Sequence, residues 1–150
     1  MLRPIMSSKS RFRRKPAKKL RIRDLKQLEV FEFDEQKFFK YRGQSIHKVE
    51  IFGTVVQKYV GTSQNNKRYA VITIDDGTAT IKVKQWVETE IIEKAELGEL
   101  VDIVGKPREF QGEIYIAPEI IQHNQTIADE LLRRAELIEQ EVEEYGLIPE

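Results

Sequence analysis

Lys82, Lys84 and Trp86 recur at every second position in the run Ile81-Lys-Val-Lys-Gln-Trp86. In an extended strand side chains alternate, so these three share one face and Ile81 and Val83 share the other. A core uses Ile81 and Val83 but has no need of an indole among ammonium groups. A single-stranded nucleic acid uses all three, because lysines neutralise phosphates and a flat ring stacks on a base. Other chemistries lack their groups. The chain has no cysteine and only two histidines, His47 and His123, which excludes a thiolate metal site and an all-histidine one. It has no glycine-rich phosphate loop with a lysine. Asp75 and Asp76 are adjacent carboxylates of a kind that can bind Mg²⁺. Neighbours on a strand face opposite ways, however, and this pair stands at the entrance to a turn, where aspartate serves the backbone. No catalytic residue, metal ligand or cofactor is assigned, and the chain reads as a binding module rather than an enzyme.

The elements that must carry this strip follow from the surrounding pattern. Asp76-Gly77 between two alternating runs predicts a two-residue hairpin turn joining Tyr69–Asp75 to the Lys82–Trp86 strand. Ile46 to Val60 predicts a long strand, with Val49, Ile51 and Val55 alternating against His47, Glu50 and Thr54. Gly53 inside it predicts a bulge or bend, and a strand bent this way can serve two sides of a small barrel. Gly61 to Lys67 is a polar loop. Val87, Ile91, Ile92 and Ala95 form a short helical stripe, ended by Gly98. Leu100–Val104 and Ile114–Ala117 are further strands, separated by a turn at Glu109–Glu113, and His123 reads as a lone loop residue. Five strands with a helix between the third and fourth are the order of an all-β, five-stranded Greek-key OB barrel, expected over residues 46–121. An SH3-like barrel and an open five-stranded sheet are the alternatives.

The chain carries 25 basic and 25 acidic residues, but they are not mixed evenly. Residues 1–23 hold Arg3, Lys9, Arg11, Arg13, Arg14, Lys15, Lys18, Lys19, Arg21 and Arg23 and no acid, so the remainder carries an equal excess of acid. A block of like charge with few apolar residues predicts a disordered basic arm over 1–23, suited to nucleic acid phosphates. Residues 24–45 form a lead-in. Leu25, Leu28 and Phe31 suggest a short helical face, and Phe33, Phe38, Phe39 and Tyr41 suggest an aromatic cluster packed on the core. No apolar run reaches the roughly 18 residues of a membrane span, and no apolar secretory segment opens the chain, so an intracellular location is expected.

Residues 126–146 predict a C-terminal α-helix, opened by the Thr126/Asp129 capping pair and stopped by Gly146 and Pro149. Ala128, Leu131, Ala135, Ile138, Val142 and Tyr145 follow a 3,4 spacing, a heptad seam that Leu132 broadens. Such a seam serves equally to fold back on its own barrel or to bundle with helices of other chains. The helix spans about 30 Å, more than one side of so small a barrel needs, which favours partners.

Several stretches together carry a family likeness: Val49-Glu-Ile-Phe-Gly-Thr-Val55, Ile74-Asp-Asp-Gly-Thr-Ala79, Val83-Lys-Gln-Trp86, Val101-Asp-Ile-Val-Gly-Lys106 and Arg108-Glu-Phe-Gln111. They resemble the OB domain of the middle subunit of replication protein A, and the telomere-capping paralogue of that subunit is similar. The resemblance covers about residues 46–145. It implies single-stranded DNA binding in replication, repair and recombination, and a C-terminal helix that joins a three-helix bundle with the large and small subunits of a heterotrimer. It implies that Trp86 is a stacking residue and Phe110 a second one, with Lys84 and Arg108 at basic positions beside them, and that the basic arm contacts nucleic acid or replication proteins. Lys82, Lys58, Lys67 and Arg68 are expected to add phosphate contacts, and Ala128, Leu131, Leu132, Ala135, Ile138, Val142 and Tyr145 to form the subunit interface. Eukaryotic members carry a serine-rich N-terminus and a winged-helix domain after the bundle helix. Here the N-terminus is rich in Lys and Arg, and the sequence stops at Glu150, so the likeness is to an archaeal form, in cytoplasm or nucleoid. Two other readings stay open: a mainly structural assembly subunit, and an RNA-binding OB module.

Overall fold

The computed structural model describes residues 16–146. In chain order the elements are β1 (Lys18–Lys19), α1 (Ile22–Leu25), β2 (Glu29–Phe33), β3 (Gln36–Tyr41), β4 (Gln44–Ile46), β5 (Val49–Thr62), β6 (Arg68–Asp75), β7 (Thr80–Trp86), α2 (Glu90–Glu93), β8 (Leu100–Phe110), β9 (Glu113–Gln122) and α3 (Ile127–Tyr145). The long strand β5 closes the barrel. It pairs with β8 over Val49–Thr54 and with β6 over Thr54–Thr62, with a register shift between Val55 and Gln57. Gly53 sits where the two pairings of β5 meet: a Cβ there would come within 2.6 Å of the Ile74 Cγ2 and 2.8 Å of the Asp75 carbonyl oxygen. Only a glycine lets the backbones approach this closely. From β5 the order runs β6, β7, β9, β8 and back to β5, with β9 joined to β7 in parallel at Val83 and Ile116. This is the closed five-stranded OB barrel read from the strand order.

Alternation fills it. Ile51, Val55, Ile72, Ile74, Ile81, Val83, Val101, Ile103 and Ile116 point inward and are almost wholly buried, with Ile92 of α2 among them. Branched side chains of this kind suit a pleated, tightly curved interior. The hairpin between β6 and β7 is wider than the expected two-residue turn: residues 76–79 form its loop, since Asp75 pairs with Thr80. Asp76 sets that width. Its Oδ1 accepts from the backbone N–H groups of Thr78 (2.9 Å) and Ala79 (3.3 Å), and its Oδ2 from the N–H of Ile22 (2.9 Å). Asp75 Oδ1 accepts from the Gly77 N–H, so both carboxylates serve the turn.

The expectation of a disordered arm over 1–23 fails for its last residues. Residues 1–15 lie outside the described residues, but 16–23 belong to the fold. Lys18 and Lys19 pair in parallel with Val49 and Glu50, and Leu20, Ile22 and Leu25 are buried. Like-charge repulsion does not hold this stretch open, because its cations meet acids of α3: Lys18 with Glu144, Lys19 with Glu136 at 3.4 Å, and Arg21 with Glu141 at 3.5 Å. The lead-in also departs from expectation. Its helix ends at Leu25, and Phe31 lies in a separate antiparallel sheet of β2, β3 and β4. Phe39 and Tyr41 pack on the core as expected, whereas Phe33 and Phe38 are exposed. The loops of this small sheet need positive φ at Asp34, Glu35, Arg42 and Gly43, of which only the Arg42-Gly43 step has a recognisable turn composition. The helix after β7 is also only four residues long, Glu90–Glu93. His123 is not alone: its Nδ1 lies 2.8 Å from Glu99.

Helix α3 starts and stops where the sequence says. Asp129 Oδ2 accepts from the Thr126 N–H (2.8 Å), the Thr126 hydroxyl accepts from the Asp129 N–H (3.2 Å), and Gly146 takes φ +66° at the other end. It lies across the barrel beside the N-terminal segment, on the ion pairs just given and on Arg133, Leu137 and Gln140. Gln140 donates to the Lys19 carbonyl at 2.9 Å.

Candidate nucleic-acid interface

The outer faces of four strands meet at Trp86. Tyr69 of β6 stands directly opposite Trp86 of β7. Their ring centroids are 5.1 Å apart at a tilt of 37°. Tyr59 of β5 lies 6.2 Å beyond Tyr69, and Tyr115 of β9 lies 6.0 Å on the other side of Trp86, edge to its face. The result is a band of four rings running across the strands. Trp86 is 44% exposed and Tyr59 54%. Each ring is braced by the next, so a base that stacks here meets a surface already ordered.

Cations border the band. The Lys84 Nζ is 4.9 Å from the Tyr115 ring centroid and 3.8 Å from a Glu113 oxygen. Lys82, two residues back on the same face, is exposed opposite Thr73 and has no carboxylate partner among the described residues. Arg108 of β8 stands opposite Tyr115, and Phe110, 63% exposed, stands opposite Glu113. Beside Tyr59 and Lys82 is a depression of about 490 Å³, lined also by Val56, Gln57, Lys58, Val71, Thr73 and Leu97. Burial pushes the Tyr69 hydroxyl up from its ordinary value, with Glu113 adding to the effect, so it stays neutral at physiological pH. Flat faces and bordering cations suit stacked bases with phosphates alongside.

Five of the eight residues expected at this site therefore share one face: Trp86, Lys84, Lys82, Arg108 and Phe110. Lys67 is exposed in the loop between β5 and β6. Lys58 borders the depression, but its ammonium and the Arg68 guanidinium are tied to other partners. The Lys58 Nζ donates to the carbonyls of Glu93 (2.7 Å) and Ala95 (2.6 Å), fastening the end of α2. Arg68 makes a two-pronged pair with Glu93, at 2.8 and 3.0 Å. That pair, helped by the Thr89 hydroxyl, holds the Glu93 carboxyl down to about 2. Sequence reasoning missed Tyr59, Tyr69 and Tyr115. Tyr69 could have been found, since the alternation Tyr69, Val71, Thr73 puts it on the wet side of β6 against buried Ala70 and Ile72. Tyr115 shares its strand face with Glu113, which hides it in an otherwise apolar run.

The helix presents a second surface. Arg133 is buried, and its guanidinium donates to Glu50 (2.8 Å), Asp102 (2.7 Å) and Glu136 (3.3 Å). Burial pushes the Asp102 carboxyl up to about 6; Arg133 pulls it down and Glu50 pushes it up. Because α3 meets the barrel with this polar side and Leu137, the heptad seam faces outward. Ala128, Leu131, Leu132, Ala135, Ile138 and Val142 are all exposed. Tyr145 departs from the seam: it is half-buried, and the Arg42 guanidinium lies 4.5 Å from its ring centroid.

Comparison with known proteins agrees with this geometry. The family model for the OB-fold nucleic acid binding domain matches residues 49–124, just over half of the chain. The chain belongs to that family. No curated protein matches this OB-fold chain by sequence. Among solved structures, a chain of a replication protein A heterotrimer bound to ssDNA is similar with TM-score 0.69 and 16% identity, covering 86% of this chain and 98% of that one. A chain of yeast RPA bound to ssDNA gives TM-score 0.66 and 23% identity, covering 91% and 98%. A chain of the S. pombe Stn1-Ten1 complex gives 0.66 and 16%, covering 81% and 88%. At these identities the likeness is one of fold, and it extends beyond the barrel.

Proposed function

We propose that this OB-fold chain binds single-stranded DNA on the face built around Trp86, as one subunit of a replication protein A-like heterotrimer. The observation that carries the DNA reading is the four-ring band Tyr59–Tyr69–Trp86–Tyr115 with Lys84 against its end ring. Structural neighbours bound to ssDNA support it. Trp86 and Phe110 stack bases, the tyrosines widen the platform, and Lys82, Lys84 and Arg108 hold phosphates. Stacking of this kind tolerates any base, so binding is expected to be largely independent of sequence. The experiment is a titration of a dT oligomer into wild type and Trp86→Ala. Loss of affinity in the variant supports the reading, and equal affinities remove it. Competition between matched DNA and RNA oligomers separates DNA from RNA binding.

The subunit reading rests on α3. Its apolar seam faces out while its other side is tied down, which favours helices of the large and small subunits as the seam's cover. A mainly structural role in assembly is the second reading, and the same seam supports it. Tight co-assembly by a chain that binds DNA weakly on its own would favour that one.

A further inference from the structure

The aromatic band has a continuation. Tyr115 stands opposite Arg108, and Lys106, Arg108 and Phe110 alternate along the exposed face of β8. Lys106 and Arg108 then form one wall of a groove of about 320 Å³ between the barrel and the small sheet, with Lys37, Phe38 and Lys48 on the facing side. The groove is cationic. Around its three lysines and one arginine stand three carboxylates: Glu109 binds Lys37, Glu32 stands opposite Lys37 on β2, and Glu119 lies 2.9 Å from Lys48 and 3.9 Å from Lys106. One carboxylate thus serves two ammonium groups, and Arg108 has no carboxylate partner among the described residues. The groove also has one exposed ring, Phe38, and the outer face of the small sheet beside it carries two more. Phe38 is 44% exposed and stands across from Phe31, itself 46% exposed, with Phe33 at 75% further along the same strand. Phe39 and Tyr41 of the same sheet satisfy the core, so these outer rings are not needed for packing. Apolar rings displayed among cations fit a ligand that is flat, apolar on its faces and anionic along its length.

We propose that a nucleic acid strand lying on the barrel face continues past Arg108 into this groove, where Lys48 and Lys106 hold phosphates and Phe38 stacks a base. The inference rests on the nucleic-acid reading of the Trp86 face. Continuity carries it: from β5 across β6, β7 and β9 to β8 is four strand spacings, about 19 Å, and the groove opens at the last of them. A phosphate entering there takes one of the two lysines from Glu119 without leaving that carboxylate unpaired. The three-stranded sheet thereby lengthens the binding site beyond the barrel.

The test compares the full-length chain with Phe38→Ser and Lys106→Gln, titrated with dT oligomers graded from the shortest that binds to several nucleotides longer. Both side chains are close to half exposed, so neither change opens the core; thermal melts matching wild type check this. Both variants are expected to bind the shortest oligomer as wild type does. Phe38→Ser is expected to lose on the order of tenfold in affinity for the longer ones, and Lys106→Gln to shallow their log–log salt slope by about 0.7. Variants that match wild type at every length, or lose affinity equally at every length, overturn the proposal. Trp86→Ala with unchanged binding at every length overturns the barrel-face reading, and this extension with it.

Discussion

Tyr69 and Trp86 stand opposite each other across the β6–β7 ladder with ring centroids 5.1 Å apart, the closest step in the four-ring band. A ring braced this way loses little freedom when a base stacks on it. Trp86→Ala should therefore lower affinity for a dT oligomer by about 1–3 kcal/mol. Tyr69→Ala should cost less, acting through the freed indole, and the double variant should lose less than the sum of the two. Trp86 is the single tryptophan of the chain. Its fluorescence should change on titration with dT, and an unchanged emission at saturation would place the DNA elsewhere.

The exposed seam of α3 makes a separate prediction. Leu131 is 59% exposed and Ile138 42%. Replacing both by Asp should leave the unfolding free energy of the isolated chain within about 1 kcal/mol of wild type, since a surface change costs at most about 0.5 kcal/mol. The same pair should abolish co-assembly with the partner subunits, read by sedimentation of the mixed complex. If the barrel unfolds instead, the seam belongs to its own domain.

How much of this was readable follows from which interactions are local. Barrel order, the bend at Gly53 and the Thr126 cap depend on alternation, one glycine and a three-residue reach, and the sequence displays all of these. The Lys18–Glu144 and Arg21–Glu141 pairs join residues more than 100 positions apart, and no local pattern announces them. The block of cations from Lys18 to Arg23 therefore read as a free arm. Lys58 looked available for the same reason: its partners are the backbone carbonyls of Glu93 and Ala95, which carry no side-chain signature. The outward side of α3 was ambiguous until Arg133, at none of the seam positions, proved to be the buried anchor.

That anchor should show in the pH dependence of stability. Asp102 faces Arg133 from α3 and Glu50 from β5, with Glu136 on the far side of the guanidinium. Its folded value, about 6, lies above the ordinary 3.8. Between those values the folded chain keeps a proton that the unfolded chain has released. This group's contribution to stability is therefore greatest below about pH 4 and declines as pH rises towards 6. Urea unfolding at pH 4, 5, 6 and 7 should show this decline as a difference between wild type and Asp102→Asn, which lacks the titration. Arg133→Ala should cost about 3–5 kcal/mol, because it leaves two carboxylates beside each other with no cation.

Lys58 and Lys84 lie on neighbouring parts of the surface but should fail in different ways. Lys58 fastens the end of α2 through two backbone carbonyls, at 2.7 and 2.6 Å, so its ammonium is already partnered. Lys84 sits over Tyr115, and the carboxylate nearest to it, Glu113, is 58% exposed at 3.8 Å and easily displaced. Lys84→Gln should thus reduce the log–log salt slope of dT binding by about 0.7, with stability unchanged. Lys58→Gln should lower stability by about 1–3 kcal/mol, since two part-buried acceptors lose a charged donor, and leave the salt slope as it was. With Lys82, Lys84 and Arg108 as the phosphate contacts of the barrel face, the wild-type slope for the shortest oligomer should be near −2. A Lys58→Gln protein with a shallower slope and wild-type stability would return that lysine to the nucleic-acid face.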